Sequence, residues 1–179
     1  MSPTPLLAAV LVRGIVLFPD SGGRGQLCPI SPDIAYTAAH VMGGSISGQW
    51  VSPTGGGQLT LISNDPKTDV AIGRSDKPFP FWYPRAKEPQ VGQALWVSGW
   101  NVWAKDWYVS PGLYYGLDAE DEIAMSTPIH FGMSGGCILT EQEEAVGIVR
   151  GFLENHNGPY AVSYGKPLWR MAKKSKEVK

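Results

Sequence analysis

The chain is poor in charge, in cysteine and in long apolar runs. Lys and Arg number 15 against 16 Asp and Glu over 179 residues, a net charge of −1, so there is no electrostatic case for a nucleic-acid partner. Cys28 and Cys137 are the only cysteines, too few to replace a hydrophobic core with a disulfide scaffold. Crossing a bilayer takes about 20 apolar residues, and the most apolar stretch, Leu6 to Phe18, is interrupted by Arg13 and preceded by no basic segment. It reads as a first strand or strand pair with Gly14 inside it rather than as a signal peptide, which points to a cytoplasmic or virus-associated protein with no membrane partner. Apolar runs of period 3.6 are scarce too, while Gly and Pro number 22 and 15. Short strands joined by many turns fit that balance, so the expected class is all-β, in one compact domain or two small packed subdomains.

What is present is a set of three short motifs. Gly132-Met133-Ser134-Gly135-Gly136 wraps a serine in glycines after the apolar run Ile123 to Phe131. Glycine lets backbone approach a substrate closely, and backbone N–H groups left clear of side chains can meet the alkoxide formed when a serine attacks a carbonyl. Upstream, Thr37-Ala38-Ala39-His40 ends a short apolar segment in a histidine, and Asp69-Val70-Ala71-Ile72 opens another with a carboxylate. Val70, Ala71 and Ile72 carry Asp69 into a buried setting, where one carboxylate can hold an imidazole N–H and fix its tautomer. Asp65, the rival carboxylate, lies in an Asn-Asp-Pro turn and reads as turn-forming.

In the order His40, Asp69, Ser134, the chain resembles the chymotrypsin-like (trypsin-like) serine peptidases. The likeness extends to the framework: Ser21 to Gly25 and Gln26 to Asp33 resemble the loop, strand and turn before the histidine, and Val146 to Gly151 the strand beside the specificity pocket. It implies two packed six-stranded-type antiparallel β-barrels with a short C-terminal helix. The N-terminal barrel would span residues 6–77, a connector 78–90, the C-terminal barrel 91–165, and a terminal helix with a basic tail 166–179.

The resemblance also implies roles. His40 would be general base, Asp69 its orienting partner and Ser134 the nucleophile of a serine endopeptidase, with the N–H groups of Gly132 and Ser134 as oxyanion hole. Pro128, His130 and Phe131 would form one wall of the substrate pocket, and Val149, Arg150, Gly151 and Phe152 the other, with Gly158 and Pro159 near its base. No aspartate stands near Pro128, which argues against a preference for Lys or Arg. His130, Arg150 and His156 are candidate donors to an acidic or polar side chain, against a structural or surface role for each. No metal or other cofactor is needed, and the partner is a protein or peptide substrate. A catalytically silent binding module on the same fold and a self-cleaving structural protein are the alternatives.

Two departures stand out. The family's usual cysteine beside the histidine is replaced by Val41, and Met133 stands where digestive members carry an aspartate that pairs with a freshly cut N-terminus. The resemblance brings the segments of Cys28 and Cys137 near each other, leaving either two buried thiols or a bridge. In the connector, Phe79, Phe81, Trp82 and Tyr83 read as packing onto the barrels. The acidic run Asp118 to Glu122 reads as a solvated turn rather than a calcium loop, for lack of the spaced ligands and glycine such a loop needs.

Overall fold

Alternating side chains and closely spaced turns give strands and almost nothing else. The computed structural model describes residues 14–101, 106–127, 129, 132–153 and 162–171. The first sheet is built from β1 (Val16–Pro19), β2 (Gly25–Gln26), β3 (Cys28–Pro29), β4 (Ile34–Thr37), β5 (Ser47–Ser52), β6 (Gly55–Asp65) and β7 (Val70–Ser75). Its seven strands lie in the order β2-β1-β5-β6-β7-β4-β3. The two ends of that order, β2 and β3, are separated in the chain by Leu27 alone, so the sheet must curl back on itself into a nearly closed barrel. Taken as one strand broken at Leu27, they leave six around the wall.

The second sheet is a closed barrel of β8 (Ala94–Asn101), β9 (Asp106–Leu117), β10 (Ile123–Met125), β11 (Cys137–Leu139), β12 (Ala145–Leu153) and β13 (Val162–Pro167), in the order β10-β13-β12-β11-β8-β9. Helical structure among the described residues is confined to the four-residue α1 (Ala39–Met42) and a 3-10 turn, Leu168–Arg170, where a terminal helix was expected. Residues 6–13 of the expected first strand and 172–179 of the basic tail lie outside the described residues.

The period of two decides which side chains fill each barrel. Leu17 stands opposite Trp50 across β1 and β5, and both are buried with Leu59, while Phe18 and Val51 on the other face are exposed. In β6 burial alternates through Ile62, which is 47% exposed in step with Thr60 and Asn64, and the pairing with β7 shifts register between Leu61 and Ser63. A second core, with Leu95, Val97, Tyr114, Ile123, Met133 and Val149, fills the closed barrel.

A third apolar cluster lies between the barrels and joins them, with Cys28, Tyr36 and Ile72 from one side meeting Cys137, Ile148 and Leu168 from the other. There Cys28 and Cys137 form a disulfide across 109 residues of sequence, their Cα atoms 4.8 Å apart. Of the two arrangements open to these cysteines, the fold takes the bridge because β3 and β11 meet at the barrel interface. The connector adds a polar clamp. Arg85 donates to the carbonyls of Leu168 at 3.2 Å and Met171 at 3.1 Å, and to the Tyr36 hydroxyl in the first barrel. Phe79 and Tyr83 of the same segment are buried, whereas Trp82 is 48% exposed.

Candidate active site

Asp69 ends the turn that joins β6 to β7, and its φ of 58° lies in the left-handed region. Aspartate tolerates that conformation better than most residues, and the turn folds its backbone and carboxylate onto the start of α1. The carbonyl of Asp69 accepts from Ala39 N at 3.1 Å. Its Oδ1 accepts from the backbone N–H of His40 at 2.8 Å, and its Oδ2 lies 2.8 Å from His40 Nδ1. An ionised carboxylate only accepts, so Nδ1 carries the proton and Nε2 is left with a free lone pair. Burial by itself would raise the Asp69 carboxyl. The hydrogen bonds from the ring and backbone of His40, with the charges of His40 and Arg150, outweigh that effect and hold it below the usual carboxylate value.

Asp65 plays a different part. Its Oδ1 accepts from Lys67 N at 3.0 Å and Thr68 N at 3.4 Å, a local turn bond of the kind aspartate favours.

The Ser134 loop is seated on the segment leading to His40. Gln26 donates from its backbone to Ser134 O at 2.9 Å and from Nε2 to Gly132 O at 3.2 Å. From the second barrel, Gly135 N donates to Val149 O at 2.8 Å and Val149 N to Gly136 O at 2.9 Å. Space is tightest at Gly135, which has a φ of +87° and where a β-carbon would lie 2.2 Å from Thr37 Oγ1 and 2.4 Å from Gln26 O. Gly25 is hemmed in likewise, its β-carbon position falling 2.4 Å from Val41 Cγ1 and 3.0 Å from Ser134 O. Gly25 thus sits between the Ser134 carbonyl and Val41, the residue after His40. Gly132 has a φ of 93°, and the amides of Gly132 and Ser134 donate to no acceptor among the described residues. Met133 is fully buried in the second core.

The hydroxyl of Ser134 donates to the carbonyl of Arg150 at 3.3 Å. Arg150 interrupts the pairing of β12 with β13: Val149 faces Gly165 and Gly151 faces Tyr164, so Arg150 is the extra residue of a bulge. Its side chain turns to carboxylates. The Nε lies 3.4 Å from Asp69 Oδ2, while Nη1 pairs with Glu122 Oε1 and lies 4.0 Å from Glu120 Oε2. Glu122 is 2% exposed and also pairs with Lys166. The acidic run is therefore not a solvated turn throughout. Asp118 caps it, accepting from Glu120 N at 2.8 Å and Glu122 N at 2.9 Å, and Glu122 is drawn inward because two cations meet it there.

Of the other expected pocket residues, Val149 is buried in the barrel core and Gly151 is partly buried. For Phe152 the described part is its backbone in β12, and Pro128, His130, Phe131, His156, Gly158 and Pro159 lie outside the described residues. A cleft of about 340 Å³ between the barrels is lined by Thr68 and Val70, the neighbours of Asp69, together with Tyr36, Lys166 and Arg170. It includes neither His40 nor Ser134. Among the described residues no group of three or more His, Cys, Asp or Glu is arranged to hold a metal ion. No helix among them is long and apolar enough to cross a membrane.

No family model and no curated protein sequence matches the chain. Solved structures do. The Rv3671c protease of M. tuberculosis in its active form superposes with a TM-score of 0.77 at 22% identity, over 92% of this chain and 79% of that one. Its inactive form gives 0.76 at 21%, over 92% and 87%. A serine endoprotease of Yersinia pestis gives 0.77 at 18%, over 93% of this chain and 64% of that one. The double barrel is the chymotrypsin-like serine peptidase fold, and these neighbours on it are proteases, the Yersinia one a serine endoprotease.

Proposed function

We propose that the chain is a serine endopeptidase that cleaves protein or peptide substrates through His40, Asp69 and Ser134. The observation that carries this reading is the doubly held His40: one carboxylate fixes both its backbone and its Nδ1–H, which leaves Nε2 to act as base toward the glycine-wrapped Ser134. His40 Nε2 takes the Ser134 proton as Oγ adds to the substrate carbonyl, and returns it to the leaving amine. Asp69 stabilises the imidazolium in between. The N–H groups of Gly132 and Ser134 receive the oxyanion, each worth on the order of 3 kcal/mol in the transition state. Water then opens the acyl-enzyme by the reverse route. Because Met133 is buried and uncharged, it cannot ion-pair with a new N-terminus, and activity should not depend on N-terminal trimming.

The test is labelling with a fluorophosphonate probe beside Ser134→Ala. Labelling of the parent and none of the variant supports an activated nucleophile with a working oxyanion hole. A folded parent that takes no label overturns the reading in favour of a silent binding module. That rival draws its support from the Ser134 hydroxyl, which is directed at the Arg150 carbonyl.

A further inference from the structure

Lys166, Glu122, Arg150, Asp69 and His40 form a line of alternating charge from the second barrel to the first. Strand register builds it. Ile123 and Val149 both pair with Gly165, which puts Glu122 beside Lys166 just past one side of that level and Arg150 just past the other, near enough on three adjacent strands for the ion pairs to form. The bulge at Arg150 then aims its side chain out of the barrel wall, as bulges beside functional sites do, and across the interface to Asp69. Among the described residues Arg150 touches two of the three motif residues, the hydroxyl of Ser134 through its carbonyl and the carboxylate of Asp69 through its guanidinium.

We propose that Arg150 is a positioning residue that sets the basicity of His40 by competing with it for Asp69, and that Glu122 sets how strongly Arg150 competes. The cation beside Asp69 weakens the pull of that carboxylate on an imidazolium and repels the imidazolium itself, so His40 gives up its proton at lower pH than an Asp–His pair alone would allow. Glu122 opposes this by drawing Arg150 away. Among the described residues the other charged groups on this line are Glu120, which reaches Arg150 from the segment before β10, and Lys166 on β13, which pairs with Glu122; Asp65 and Lys67 lie in the turn that leads to Asp69. The charge balance stands on its own; its consequence for catalysis, activity extended toward acid, rests on the endopeptidase reading.

Two variants should move His40 in opposite directions, which a merely structural role would not do. Arg150→Gln leaves Glu122 paired with Lys166, so the buried carboxylate keeps a partner and the fold is retained. The imidazole titration of His40, followed by NMR in the 15N-labelled chain and assigned with His40→Gln, should shift up by about half a unit to one unit in Arg150→Gln. It should shift down in Glu122→Gln and stay near the parent in Arg150→Lys. In labelling rates against pH, the acid limb of the parent should follow the same shifts. An unmoved His40 in Arg150→Gln, or a shift of the same sign in both neutral variants, overturns the inference. A parent that takes no label at any pH overturns the endopeptidase reading instead, and the NMR titration still decides the role of Arg150.

Discussion

Asp69 grips His40 at two points, with Oδ1 on its backbone N–H and Oδ2 on its ring Nδ1, both at 2.8 Å. Asparagine also tolerates the left-handed φ of 58° at this position, so Asp69→Asn tests the charge without straining the turn. On the proposed mechanism it should lower kcat by roughly 10³- to 10⁴-fold, because an amide NH₂ facing Nδ1 favours the wrong tautomer. Circular dichroism should show an unchanged fold.

The same carboxylate makes stability depend on pH. Its pKa is held below the ordinary value, so its contribution is fully present above the unfolded carboxylate value and is lost as pH falls through the folded one. Denaturant melts should show the parent more stable than Asp69→Asn above about pH 4, with the difference shrinking as the solution is made more acid. A difference that grows toward acid would contradict this.

Gly135 has no room for a side chain. With a β-carbon 2.2 Å from Thr37 Oγ1 and a φ of +87°, Gly135→Ala must displace either the Ser134 loop or the segment before His40. Overpacking costs about 1–3 kcal/mol and the left-handed backbone about 1–2 more. Chemical denaturation should register that loss, and probe labelling should fall with it.

The bridge between Cys28 and Cys137 closes 109 residues. A constraint on so long a loop is worth about 2–5 kcal/mol. The Cys28→Ser/Cys137→Ser double variant should lose that much in a denaturant melt, and the parent should lose a similar amount under reductant. Equal stability of parent and variant without reductant would mean the bridge does not form.

Arg85 fastens the chain end to the first barrel through two carbonyls and the Tyr36 hydroxyl. Arg85→Met keeps the stem but deserts those acceptors, at a cost of about 1–3 kcal/mol. A melt of the variant against the parent checks the size of the loss.

The β class and the three motifs were legible in the sequence because each rests on local chemistry, and the double barrel followed from the family resemblance those motifs carry. Turn residues at short intervals dictate strands, glycines around Ser134 mark close backbone approach, and an aspartate heading an apolar run marks a buried carboxylate. The interactions of Arg150 were not legible in this way. The sequence left it open between a donor to substrate and a structural or surface residue, and its guanidinium is engaged by Asp69, Glu122 and Glu120. Glu122 looked like one acid in a solvated run, and nothing local distinguishes it from Glu120.

By itself the sequence determined a chain built of β-structure and offered His40, Asp69 and Ser134 as candidates for the chemistry. Only the tertiary structure decided who stands beside them. Register across β10, β13 and β12 brings Glu122 beside Lys166 and within reach of Arg150 at the bulge, and the barrel interface brings Cys28 to Cys137. Such pairings depend on closing long loops and on a bulge that shifts one residue, quantities that no stretch of residues carries on its own.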